Sequence, residues 1–244
     1  VMKKPNIALT VILSTILLFL VAMIALQGFA GLFSESVVNR AAAYLTKYDD
    51  NFTYIEHETQ GKNLLIYFSS EKYPDYTVMV SYIRTYDEAG MDCFRDSYAN
   101  RMFEEEALEN GDRLIGTLYP DERYEVYISQ TGVYDGYDRN TTYEQFYHDE
   151  GGWFEAIVYK DITEEELEND ARRIEELMRL EDDSMDSRDA SLCIIVYYYP
   201  ADSEGPGVEC FSDLAHIKDY TAILKLYYDD PKHECRLEKI EMNN

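Results

Sequence analysis

A chain of 244 residues and 28.5 kDa is long enough for one substantial domain or two small ones. Its 48 acidic and 22 basic side chains leave a formal charge of −26, which repels a polymer of phosphates and sets nucleic acid aside as a partner. A hydrophobic content of 46% offers enough apolar surface to offset chain entropy, so general disorder is excluded as well.

The first element is IALTVILSTILLFLVAMIAL, Ile7 to Leu26, behind the basic start VMKKPN. As a helix it reaches ~30 Å, the thickness of a bilayer's hydrocarbon core. The apolar centre of an export signal is shorter, roughly 7–15 residues, so the length favours a retained single-pass anchor through residues 7–26. Gly28-Phe29-Ala30 supports the alternative, a secreted protein cleaved near Ala30, because small residues stand where a signal peptidase reads. No cysteine follows the apolar run before Cys93, which argues against a lipoprotein signal. Either way Lys3 and Lys4 stay cytoplasmic and the chain from about Ser34 is carried outside. The expected division is therefore 1–33 as the anchor or signal segment and 34–244 as an acidic, Tyr-rich extracytoplasmic domain.

A short helix around Ala41–Leu45 is expected next, stopping at Asp49-Asp50-Asn51. FTYIEHE (52–58), the apolar LLIYF (64–68) and YTVMVSYIR (76–84) read as three strands of an antiparallel meander, with Tyr76, Val78, Val80 and Tyr82 on one face. From Met91 the period changes. Met91, Phe94, Tyr98 and Met102 predict one helical stripe, with Cys93 off it and Glu104–Glu106 facing water. Another turn or two is expected at 113–118, ending at Pro120-Asp121. YEVYIS (124–129) is a strand, TGVYDGYDRNTT (131–142) an exposed loop and a possible subdivision point, and WFEAIVYK (153–160) a further strand.

The strongest local signal is DITEEELENDARRIEELMRL. Thr163 and Glu166 form a capping box, Ile162 and Leu167 a hydrophobic staple, and Leu167, Ala171, Ile174 and Met178 the buried face. After the charged stretch 181–189 come SLCIIVYYY, TAILKLYY and the weaker CRLEKIEM. The whole reads as an α+β fold, a mostly antiparallel or mixed sheet packed by two main amphipathic helices, and as one domain rather than two. The 23 tyrosines against 10 phenylalanines fit a sheet whose core edges keep a wet hydroxyl, or a sticky surface for a partner or a sugar.

Catalytic chemistry is thinly signalled. Ser69-Ser70-Glu71-Lys72 fits the SxxK pattern in which Lys72 would activate Ser69. Yet KTG is absent, and Ser212-Asp213-Leu214 lacks the Asn of SDN. No GxSxG, P-loop, GxGxxG or HExxH pattern occurs. His57, His148, His216 and His233 are scattered and read as solvated. With 48 acids, a carboxylate pair at glycosidase spacing is certain by chance and carries no information. Calcium is the one cofactor the acids could serve, through Asp135 and Asp138 in one loop or Asp182 and Asp186 in another, although neither keeps EF-hand spacing. The four cysteines form no CxxC pair; Cys210–Cys235 is the disulfide candidate against a free-thiol reading.

The Lys-Lys start, the single apolar helix, the opening AAAYLTKYDDNFTYIEHE and the Tyr- and Glu-rich remainder together resemble the uncharacterised single-pass exported proteins of clostridial-type Gram-positive bacteria. That resemblance implies the membrane address. It implies no activity, so it transfers no functional residue. The expected function is a membrane-anchored interaction or sensor domain, its acidic exterior suited to a basic protein or envelope component. The alternative is a cell-envelope hydrolase with an unrecognised serine or carboxylate site.

Overall fold

The computed structural model describes residues 35–61, 63–83, 93–129, 132–182, 191–208, 214, 217–229 and 234–243. The apolar run 7–26, Ala30, Asp186, Cys210, His216 and His233 lie outside the described residues, as do the side chains of Asp182 and Cys235. Among the described residues no helix is long and apolar enough to cross a membrane. The fold is α+β, with two sheets and five helices among the described residues, where one sheet was expected. Backbone contacts divide the chain into two compact units, Val1–Asp96 and Ser97–Asn244. The boundary falls at Asp96/Ser97, and the 131–142 loop lies inside the second unit.

In the first unit, helix α1 (35–45) is set by Val37, Ala41 and Leu45, one residue per turn on a single stripe, all fully buried. Strands β1 (Phe52–Gln60), β2 (Asn63–Ser70), β3 (Thr77–Ile83) and β4 (Cys93–Asp96) follow as an antiparallel sheet in chain order. The apolar β2 is interior to that sheet, as its composition requires. Ile66, Phe68, Val78, Val80 and Tyr82 form the buried face, and α1 lies over it. Tyr44 stacks on Phe94 at 5.5 Å, and Tyr48 Oη donates to the buried Asp96 at 2.9 Å while Lys47 Nζ reaches it at 2.8 Å.

The single helical stripe expected from Met91 to Met102 is a correction. Residues 93–96 are strand β4, and helix α2 (Tyr98–Met102) and helix α3 (Glu104–Leu118) come after it. Phe94 pairs opposite Tyr82 and Asp96 opposite Val80. Completing the sheet ladder outweighs a local three-to-four residue period that four residues share with chance. The isolated turn expected at 113–118 is the last part of the fifteen-residue α3.

The second unit continues with β5 (Arg123–Ile128), α4 (Tyr143–Glu150), β6 (Gly151–Tyr159), α5 (Glu164–Asp182), β7 (Ser191–Tyr199), β8 (Ala222–Asp229) and β9 (Glu234–Met242). Its five strands lie in chain order. Every neighbour is antiparallel except β6 and β7, which run parallel because the α5 crossover returns the chain to the same end of the sheet. The expected capping box opens α5: Thr163 N–H donates to Glu166 at 2.9 Å, and Glu166 N–H donates back to Thr163 Oγ1 at 3.3 Å. Leu114, Ile115 and Leu118 of α3 and Leu167, Ile174 and Met178 of α5 pack on Phe154, Ala156, Val158, Ile194, Val196 and Leu224. Gly111 lets α3 approach closely, since a Cβ there would stand 2.8 Å from the Phe154 ring.

Candidate functional site

Helix α4 begins at Thr142, whose hydroxyl accepts from Gln145 N–H at 3.3 Å while the Gln145 side chain accepts from Thr142 N–H at 3.1 Å. This second capping box sits at the end of the stretch taken as loop, and it fixes the register of Tyr143, Phe146 and Tyr147. Tyr147 joins the main core, and Phe146 packs with Ala99, Phe103 and Tyr137. The helix ends at Gly151, with φ 75° and ψ −145°, a backbone conformation that is essentially glycine's alone. The chain then passes directly into β6. A Cβ at Gly151 would stand 1.9 Å from the Ser191 carbonyl oxygen, the first register partner on β7.

A cavity of about 180 Å³ opens at this end of the parallel pair. Ala107 of α3, Ile128 at the end of β5 and Ser129 after it, Tyr134, the α4 side chains Tyr143, Phe146 and Glu150, and Trp153, Ser191 and Cys193 of the two strands line it. Tyr134 and Phe146 stand edge to face, with centroids 5.1 Å apart and planes at 87°. Tyr137 Oη donates to Glu150 Oε1 at 2.7 Å and so fixes that carboxylate. Burial pushes the Tyr143 hydroxyl up to about 12 and the Cys193 thiol up to about 12, so both stay protonated at neutral pH. Among the described lining residues there is no histidine, lysine or arginine.

On the sheet face opposite α3 and α5, Glu155 is buried at 6% exposure. Desolvation raises its pKa above the ordinary 4.5, with Tyr197, Trp153 and the Lys225 charge working against the shift. A raised carboxyl pKa contributes stability that is complete below the unfolded value and fades as pH rises through the folded one. Glu155→Gln is therefore expected to be more stable than the parent at pH 7. The difference should shrink to nothing below about pH 4 in denaturation curves.

The residues singled out in the sequence fall elsewhere. Ser69 lies in β2 and its hydroxyl donates to the Thr53 carbonyl at 3.4 Å, whereas Lys72 lies over the Tyr73 ring at 5.2 Å. No hydrogen bond joins the two. The hydroxyl that is held is the neighbouring Ser70, which donates to Asp50 and accepts from Tyr73 N–H at 2.8 Å. Asp138 accepts from Asn140 N–H at 2.7 Å, a bond that holds its carboxyl below the ordinary range, and exposed Asp135 does not join it in a cluster. Among the described residues no three His, Cys, Asp or Glu side chains are placed to hold a metal ion. Asp182 ends α5, and Cys235 pairs opposite Tyr228 on β9.

What sequence reasoning missed was α4. TTYEQFY contains both its signals, the T-x-x-Q box and aromatic residues three and four apart, directly at the end of the stretch 131–142 whose Gly, Asp and Asn content reads as loop.

No family model and no curated protein matches the chain. Among solved structures it is similar to a DUF5037 family protein from Ruminococcus gnavus, a clostridial-type bacterium. The identity is 12%, the TM-score 0.38, and the match covers 82% of this chain and 94% of that one. That likeness is distant and identifies no residue of a site.

Proposed function

We propose that the chain is a membrane-anchored, extracytoplasmic sensor or interaction domain whose second unit holds a small ligand in the cavity beside α4. The cavity is the observation that carries this reading. Five aromatic residues, Tyr134, Tyr143, Phe146, Trp153 and Phe154, stand in its wall beside a few polar groups, a make-up that suits a binding pocket. Two serines and a thiol line it with no histidine, lysine or arginine among the described lining residues, and burial holds the thiol protonated against the Lys225 charge, which supports holding over converting. Residues 7–26 and the Lys3-Lys4 start support the address. Native mass spectrometry of the full chain, extracted from its own membranes in mild detergent, tests the reading. The expected result is a chain that retains residues 1–30 and carries a stoichiometric small molecule or protein partner. A bare chain cut after Ala30 that turns over cell-wall fragments would contradict it.

A further inference from the structure

The cavity's chemistry selects among ligands. About 180 Å³ is slightly more than the ~150 Å³ that admits a benzene ring, so it accommodates a head group rather than a chain of sugars. Tyr134, Tyr143 and Phe146 present three neutral rings, and Glu150 supplies a carboxylate held by Tyr137 at 2.7 Å. Aromatic rings attract cations, and aromatic side chains grouped around a small space recognise quaternary ammonium groups. An anion would meet aromatic rings and a carboxylate, with no Lys or Arg among the described lining residues to pair with it. The charge of −26 draws cations toward the protein from a distance. Trp153 contributes a wall, and one of its partners is already a cation, Lys225 Nζ at 5.3 Å from the ring centroid. That ammonium is paired with Glu238 at 3.0 Å and does not line the cavity.

From this we infer that the ligand is a small organic cation, an amine or quaternary ammonium head group. The inference rests on the proposed role of the cavity as a ligand site and names what that site takes.

Choline and 3,3-dimethylbutan-1-ol have nearly the same shape, and only the first is charged. Isothermal titration of the full chain with each, at about 0.15 M salt to screen the acidic surface, separates charge from shape. The expected result is choline binding at least tenfold tighter than the alcohol. Glu150→Gln, which keeps the acceptor for Tyr137, is expected to lower choline affinity three- to tenfold and leave the alcohol unchanged. Equal affinities for the two probes would overturn the cation inference while leaving the cavity as a ligand site. Failure of both probes to bind at millimolar concentration would overturn both. Choline binding that Glu150→Gln leaves untouched would place the cation elsewhere on the surface and overturn the inference too.

Discussion

Asp170→Ala is expected to destabilise the protein by about 3 kcal/mol, because it leaves buried polar partners without their acceptor. Asp170 is 3% exposed on α5, facing Tyr198 of β7. Tyr198 Oη donates to it at 3.2 Å, and Tyr119 and Tyr198 share a hydroxyl–hydroxyl bond of 2.7 Å. Arg173 at 3.2 Å and Lys160 at 3.5 Å complete the set. One carboxylate thus ties α5, the end of α3 and the middle of the sheet together. Asp170→Asn keeps the acceptor and loses the charge, so it should cost roughly half as much. Urea unfolding followed by far-ultraviolet circular dichroism measures both. An alanine variant within about 0.5 kcal/mol of the parent, the usual range for an exposed substitution, would show that the network carries no stability.

Gly151→Ala is the second large effect, also about 3 kcal/mol or more, and it acts through the backbone. With φ at 75° and a would-be Cβ at 1.9 Å from a backbone oxygen, neither rotation nor a side-chain shift relieves it. The β6–β7 register must open at its first pair, which also opens the cavity wall. Gly136 is the control. It has φ at 91° with nothing within 4 Å of the added carbon, so Gly136→Ala meets only the conformational penalty, about 1 kcal/mol. Equal losses of denaturation midpoint in the two variants would refute the account of how α4 is joined to β6.

Which features the residue order revealed follows from how local each one is. The α5 helix was readable from end to end, because the capping box, the staple and the buried stripe are all contained in one segment. The first three strands were readable from alternation, and the interior place of β2 from its continuous apolar run. Strand β4 was not, since its ladder with β3 joins residues ten to sixteen positions apart, while Phe94 falls at helical spacing from Met91, Tyr98 and Met102. The parallel pairing of β6 and β7 was equally hidden, being a property of the α5 crossover rather than of either strand. The site was hidden for the same reason: its walls come from α3, the end of β5 and the segment after it, α4, β6 and β7. SxxK drew attention because it is a pattern in sequence, yet Ser69 and Lys72 have separate partners in space.

The tyrosine count has an explanation that composition alone did not give. Only 22 basic side chains are available to 48 acids, and tyrosine hydroxyls take the place of the missing cations. Tyr48 donates to Asp96, Tyr67 to Glu58, Tyr137 to Glu150, Tyr159 to Glu125 and Tyr198 to Asp170. Several of these rings are core rather than edge, with Tyr98, Tyr119 and Tyr198 among the largest fully buried side chains. A phenol packs its ring and still satisfies a carboxylate, which suits an acidic chain that must form a core.

The cavity is the central claim, and the chain carries its own reporter there: Trp153 is the one tryptophan in the sequence and lines the cavity. Its emission, followed while the full chain is titrated with choline, should change in a saturable way. In Ala107→Leu, which fills part of the space from α3, that change should be lost while the unfolding midpoint stays near the parent's. No change in the parent, or the same change in both proteins, would show that the cavity is not where a ligand binds.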